Sequence, residues 1–479
     1  MIKEINVFLN INMNERRLSI VVFSLFFSWL LAFPFEGQVL YALAQRNKID
    51  PHMMIFGSIT AHFAGLILSG FLIKTRLAAK RLILFSIAYC IIGCSVFFFA
   101  PSILWNIILI SDSFLAGTCV AAWGFYLKSG TPSNKRIKTI ADGLIYSNIL
   151  MILLNMTAIN LSPYTGLGLS ILILGGALFF TVRLPVNEQS VSPTQPEKIE
   201  KHINTNKHLT FLCIFIVIIT INSGLMYQVV NPAFSHHEWL VSWYWAVPYI
   251  IALYIMKNLP RKTNRTYILY VAITMIGFAF IAFMTFDRSV ASYLLVDTLM
   301  LGACGIFDLF WWSILGEMLD FDKNPAKILG LGLSANVFGV LLGGFIGDTI
   351  SKVDTGNHNL SVIALVVVFI ILIIFPPLHK QLSMLFKNHE FLTALFEVSP
   401  TVQNEDIFSF TFIGQLTERE REITMLLLKG RTYKIIAGEL SLSENTVKTH
   451  IKNIYSKFNI KSRMELVNLM MEKERSLSR

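Results

Sequence analysis

Twelve times along its 479 residues this sequence returns to an apolar run about as long as the hydrocarbon core of a bilayer is thick. The runs cover 19–44, 52–73, 82–100, 103–127, 139–161, 164–182, 209–230, 240–256, 266–286, 291–315, 328–350 and 360–378. Turn chemistry separates them, as at Asp50-Pro51, Pro101-Ser102, Ser162-Pro163 and Asn231-Pro232, and Pro248 interrupts the eighth. With 54% apolar and only 15% charged residues, the chain lacks the polar surface to cover itself in water, where roughly a quarter of residues are normally charged. Lipid must solvate most of it. The five cysteines all sit inside apolar runs, which excludes a disulfide scaffold, and no pair of them brackets a zinc site. The first run is long and no small-residue cleavage site follows it, so no cleavable signal peptide is expected.

Lys and Arg alternate between the loops. The N-terminus (Lys3, Arg16, Arg17) and every second loop thereafter hold twenty-one, and the intervening loops hold only Arg46, Lys48, Arg288 and Lys352. By the positive-inside rule both termini lie in the cytoplasm, which for a bacterial chain means the inner membrane. A missed span would scramble the alternation, so the count of twelve is expected to hold. The longest polar loop divides six runs from six. We therefore divide the chain into an N-terminus (1–18), a first half (19–182), a central loop (183–208), a second half (209–380), a linker (381–413) and a soluble tail (414–479).

The two halves echo each other. Asp112, Gly117 and Cys119 answer Asp297, Gly302 and Cys304 at one constant offset, and Asn148 with Leu153-Leu154 more weakly answers Asn336 with Leu341-Leu342. Twelve helices, a long central loop and parallel six-helix repeats resemble the major facilitator superfamily of transporters. The segment Gly70-Phe-Leu-Ile-Lys-Thr-Arg76 with Lys80-Arg81 is similar to that family's motif after helix two, but lacks its Asp and second Gly.

The tail carries different chemistry. Thr417 and Glu420 form a capping box that opens a helix, Gly430 supplies its stop, and a second helix is expected over 433–440. Ser443 caps a third helix over about 444–457, and Ser462 with Glu465 opens a fourth. The third helix has two faces. Val447, Ile451, Ile454 and Phe458 recur at core spacing; Asn445, Lys448, Thr449 and Lys452 recur on the opposite side. That second face offers cations for phosphates and guanine edges and a small side chain for a thymine methyl, as a major-groove helix requires. A bland solvated face would also be lysine-rich, so the helix alone does not decide.

The segment as a whole does. Leu416-Thr-Glu-Arg-Glu-Arg-Glu422, Gly430-Arg-Thr-Tyr-Lys-Ile-Ile-Ala437, Leu440-Ser-Leu-Ser443, Asn445-Thr-Val-Lys-Thr-His-Ile-Lys-Asn-Ile-Tyr-Ser-Lys457 and Ser462-Arg463 follow in order. This closely resembles the LuxR-type helix-turn-helix domain. The resemblance implies base contacts from Lys448, Thr449 and Lys452, phosphate contacts from Ser443, Thr446, His450 and Lys457, and dimerisation on double-stranded DNA through the last helix. It implies no catalysis, cofactor or metal. No Gly-x-x-x-x-Gly-Lys-Ser/Thr loop is present, which argues against an ATPase.

Within the spans, Glu36, His62, Asp112, Asp297 and Asp308 are costly in lipid and so are ligand candidates; packing suits His62 better than a ligand role. The related pair Asp112 and Asp297 is expected to face a central cavity, unless neighbouring helices satisfy both by hydrogen bonds. Trp239, Trp243, Tyr244 and Trp245 read as an outer aromatic belt and Trp311-Trp312 as its inner counterpart. The sequence thus describes an all-α chain: a twelve-helix bilayer bundle with a four-helix DNA-reading tail. Either the bundle senses a small effector and controls the tail, or it is a working transporter with a regulatory tail. The altered loop motif and the close tether favour the first.

Overall fold

The structure is a computed structural model that describes residues 13–35, 37–186, 205–260, 265–353, 357–385 and 416–466, apart from 429, 430, 432, 441, 459, 461, 463 and 464. Among the described residues there are helices and turns but no strand. They belong to two compact units, one within 1–396 and one within 397–479.

In the first unit every apolar run is helical. Side-chain caps set several starts. The Asn14 carboxamide accepts from Arg17 N at 2.9 Å, Thr75 accepts from Ala78 N at 3.1 Å, and Ser162 precedes a proline in the first turn of Pro163–Val182. Among the described residues ten helices are long and apolar enough to cross a membrane, or eleven if the pair Ser235–Val241 and Ala246–Asn258, bent by 44°, is one span. The expected twelve is thus not reached by this measure. The first run explains the difference: it is split between Glu15–Ala32 and Gln38–Arg46, and the longer piece opens with Glu15, Arg16 and Arg17. The eighth run also breaks elsewhere than expected, ahead of Pro248. Proline in the first turn of Ala246–Asn258 loses no intrahelical bond, since that N–H would have none.

Lipid-like solvation is written on the outside of this unit. Phe71, Phe99 and Ile373 are each more than 70% exposed, a surface that water would not tolerate. Between helices the packing relies on small residues, as membrane bundles do once lipid has removed the hydrophobic drive. A methyl group on Gly117 would stand 2.3 Å from the His62 carbonyl oxygen, and one on Gly339 would stand 2.0 Å from the Thr220 hydroxyl. These backbones touch.

The two halves are bound at the end that carries the basic loops. Arg136, only 4% exposed, donates to both Asp320 carboxylate oxygens at 2.6 and 2.8 Å and to the Gly316 carbonyl at 2.9 Å. Lys257 of the second half pairs with Asp142 of the first, which also receives Arg16 at 3.4 Å. Lys128 donates to the Asp322 carbonyl at 2.9 Å and Asn324 to the Gly70 carbonyl at 2.8 Å.

The second unit contains Glu418–Leu428, Tyr433–Glu439 and Glu444–Lys457 around a core of Ile423, Leu427, Ile436, Val447, Ile451, Ile454 and Leu466. The first capping box forms: Thr417 N donates to Glu420 at 2.8 Å and Glu420 N to the Thr417 hydroxyl at 3.3 Å. The Ser462–Glu465 pair forms likewise, with Glu465 N 3.2 Å from the Ser462 hydroxyl. The expected stop at Gly430 and the body of the fourth helix lie outside the described residues.

Candidate ligand cavity and nucleic-acid interface

A cavity of about 960 Å³ lies between the two halves of the membrane unit. Its outer lining comes from Gln38, Arg46, Pro163, Pro232 and Glu238, in the segments joining helices at the end opposite the basic loops. Its depth is lined by Leu144 and Asn148 from one half and by Asp308, Trp312, Leu333 and Asn336 from the other. The helix Thr205–Leu225 continues into a π-helical turn, Met226–Val230, whose wider backbone turns Met226 and Tyr227 into the lining.

The ligand candidates separate here. Asp308 lines the cavity, and its Oδ2 accepts from the Tyr249 hydroxyl at 2.7 Å. Asp112 and Asp297 do not line it. Both are buried between helices, and neither Asp112 oxygen has a hydrogen-bond partner among the described residues, so the alternative of a hydrogen-bonded structural carboxylate is not met at Asp112 either. A methyl group on Gly93 would come within 2.7 Å of the Asp112 carboxylate, which shows how closely the facing helix covers it. Glu36 lies outside the described residues. His62 is buried with Nδ1 donating to the Ser113 carbonyl at 3.2 Å, yet it also contributes to the lining.

The aromatic assignments change too. Trp311 and Trp312 are buried rather than interfacial. Trp312 packs edge-on to Phe23 and Trp123, with centroids 5.9 and 6.3 Å away, and reaches the cavity. Trp245 lines the cavity as well, whereas Trp239 is 59% exposed as a belt residue would be. Asn148 and Asn336, the weaker echo in the sequence, both line the cavity. An amide echoed by an amide in the sequence was the available signal.

In the tail, the Glu444–Lys457 helix starts at Ser443, whose hydroxyl accepts from Thr446 N at 3.0 Å. Val447, Ile451 and Ile454 are buried; Asn445, Lys448, Thr449 and Lys452 are exposed, and His450 is half-buried. The structure thus gathers Asn445, Lys448, Thr449 and Lys452 on one open face. It does not leave them equally available. Lys448 pairs with Glu444 at 3.1 Å, the Thr449 hydroxyl donates to the Asn445 carbonyl at 3.0 Å, and the Ser443 and Thr446 hydroxyls meet at 2.7 Å. Lys452 has no ion-pair partner among the described residues.

Lys457 serves the fold. Its amine lies 2.6 Å from the buried carboxylate of Glu420, in the first turn of Glu418–Leu428, and so ties the third helix to the first. Burial works against the charge on Glu420, but hydrogen bonds from Lys457 and from the Thr417 N–H and hydroxyl outweigh it and hold the carboxyl below its usual range. Because the folded value lies below the unfolded one, the stabilisation is present above the ordinary carboxylate range and is lost as pH falls through the folded value. Thermal melts of a 414–479 fragment are therefore expected to show an acid-side loss of stability that Glu420→Gln flattens. An identical acid limb in both would show that other carboxylates control it.

Residues 414–470 match the family described as bacterial regulatory proteins, luxR family. The spore germination protein GerE of Bacillus subtilis (strain 168) is 48% identical over 52 residues, which are 11% of this chain and 70% of that protein. The chain belongs to the luxR family. The nitrate/nitrite response regulator protein NarL of Escherichia coli (strain K12) is 45% identical over 53 residues, so the chain spans 24% of that protein. The luxR-family part is a DNA-binding regulator domain and occupies only the tail. The membrane unit is similar to solved transporters. The human organic anion transporter MFSD10 (TETRAN) superposes with a TM-score of 0.58 at 13% identity, over 74% of this chain and 99% of that one. A mutant of the nucleoside transporter NupG superposes with a TM-score of 0.52 at 15% identity, over 75% and 98%. At such identity the likeness concerns the fold alone, and with the many apolar helices it points to a multi-pass membrane protein. Neither part is of an enzyme class.

Proposed function

We propose that this luxR-family chain is a membrane-bound transcriptional regulator whose transporter-like unit binds a small effector and thereby controls the DNA-binding tail. The observation that carries the reading is the union in one chain of a central cavity, mostly apolar with a few polar groups, and a helix with an open basic face. In this reading the chain crosses the bilayer twelve times, with Glu15–Ala32 and Gln38–Arg46 together forming the first span. The Lys and Arg alternation supports cytoplasmic termini, which leave the cavity open to the outside and its ion-paired end inside. The divisions at 18, 182, 208, 380 and 413 then separate terminus, halves, loop, linker and tail. Effector binding favours one of two arrangements of the halves, and that preference changes how the tails pair through a fourth helix on DNA.

On the DNA, Lys452, Lys448 and Thr449 face base edges with Asn445 beside them, and Ser443, Thr446 and His450 sit near phosphates. Lys457 reaches a phosphate only if it leaves Glu420, which supports a positioning role for it. In the cavity Asp308 is the principal ligand residue. Asp112 and Asp297 stand outside the cavity lining.

A second reading, a working transporter with a regulatory tail, is favoured by one feature: a cavity open at one end and bolted by ion pairs at the other is the form that alternating access uses. Deleting residues 414–479 separates the two. In the regulator reading the deletion abolishes effector-dependent reporter transcription, and cells show no concentrative uptake of the effector with or without the tail. Concentrative uptake that survives the deletion would establish transport instead.

A further inference from the structure

We propose that the occupant of the central cavity is a small organic cation: an amine on an aromatic or branched apolar group, seated with its ammonium on the Asp308 carboxylate. This rests on the cavity reading above and names its ligand class. The helix Val290–Met318 turns Leu301, Cys304, Asp308 and Trp312 into the cavity at steps of three, four and four, which is one helical face. Asp308 is half-buried there, and Tyr249 uses one of its oxygens. A carboxylate has about four acceptor sites, so most of its capacity is left for an occupant.

No ion pair reaches Asp308 among the described residues. The other formally charged side chains lining the cavity, Arg46 and Glu238, belong to the outer segments, and the Arg46 guanidinium rests over the Tyr164 ring at 5.5 Å. A carboxylate beside a low-dielectric wall with no cation is costly, and an occupant that brings the cation removes that cost. The remaining lining suits such a molecule. Trp312, Trp245 and Tyr227 offer π-faces and apolar area to an alkyl- or arylammonium ion, and Asn148 and Asn336 offer amides to further polar groups. A volume of about 960 Å³ matches the upper range of sites for single small molecules. An anionic ligand would meet Asp308 as a repulsion in the depth of the cavity.

The test uses the full chain in lipid nanodiscs, with thermal shift and tryptophan fluorescence as readouts. The probes are 2-phenylethylamine and tryptamine, set against 2-phenylethanol, tryptophol and indole-3-acetate. The amines are expected to stabilise the protein in thermal shift while the neutral and anionic counterparts do not, and 2-phenylethylamine, which does not emit with the indoles, is expected to change the tryptophan fluorescence where 2-phenylethanol does not. Asp308→Asn should weaken amine binding about ten- to a hundredfold, and Asp308→Glu should retain it. Equal binding of the alcohols or the carboxylate, failure of both amines, or undiminished amine binding by Asp308→Asn would overturn the assignment. Should Asp308→Asn not fold, the selectivity of the wild-type protein between amine and alcohol decides alone. A promoter reporter separates this from the reading beneath it. Asp308-dependent amine binding with no change in transcription keeps the cation assignment and removes the sensing role. Transcription that answers only to neutral or anionic compounds keeps the sensing role and removes the cation.

Discussion

Lys452→Ala is expected to weaken binding of the tail to its specific DNA site by about ten- to a hundredfold, the scale of one good side-chain contact to a base edge. The side chain is exposed and no carboxylate competes for it among the described residues, so its truncation affects the DNA complex and leaves the core intact. The melting curve of the variant should match wild type. Two neighbours serve as internal controls. Lys448→Ala should cost less, because Glu444 already holds that amine at 3.1 Å. Lys457→Ala should lower stability, because it leaves the buried Glu420 without its cation. Fluorescence anisotropy across a salt series, on cognate and scrambled duplexes, distinguishes the two roles a lysine can have. If Lys452 reads a base edge, its replacement collapses the ratio of specific to non-specific affinity. If it only neutralises a phosphate, both duplexes weaken alike and the salt slope falls by about one. Unchanged affinity at moderate salt would remove Lys452 from the recognition face.

In the membrane unit the largest effect is expected at Asp320. Asp320→Asn removes the charge that holds the buried Arg136 guanidinium across the two halves, leaving it only neutral acceptors there, the Gly316 carbonyl and one carboxamide oxygen. Charge-assisted hydrogen bonds of this kind contribute about 1.5–3 kcal/mol, so the equilibrium between closed and open forms of that end should move by roughly ten- to a hundred-and-fiftyfold. Asp320 is itself 45% exposed, and screening by water places the effect toward the lower limit. Two measurements follow the shift. A cysteine introduced at the ion-paired end should label faster in the variant, and reporter transcription without effector should move toward its effector-bound level. Unchanged labelling would mean that the pair only braces the fold. Faster labelling with unchanged transcription would uncouple the bundle from the tail.

How much of this was legible in the residues differs between the two units. In the tail the capping pairs Thr417–Glu420 and Ser462–Glu465, the buried series Val447, Ile451, Ile454 and the open series Asn445, Lys448, Thr449, Lys452 all appear where the spacing put them. Water surrounds that domain, so apolar periodicity marks the inside. Ion pairs such as Lys457 with Glu420 and Lys448 with Glu444 escaped, because an ion pair depends on a partner brought near by packing or by rotamer.

In the membrane unit the sequence determined the apolar runs and their helical form, and it supplied the echo between halves and the Lys and Arg alternation as expectations. It named Asp308 among the ligand candidates but did not separate it from Asp112 and Asp297. Asp112 and Asp297 gave the stronger echo and lie buried between helices, while Asp308, Asn148, Asn336 and Trp312 meet at the cavity. Each face of a bilayer helix is apolar whether it meets lipid or protein, so spacing along the chain carries no sign of which face turns inward. The crossing of the helices, set by close approaches such as Gly117 on His62 and Gly339 on Thr220, fixes that rotation. The tertiary structure alone decided where the cavity lies and which carboxylate lines it.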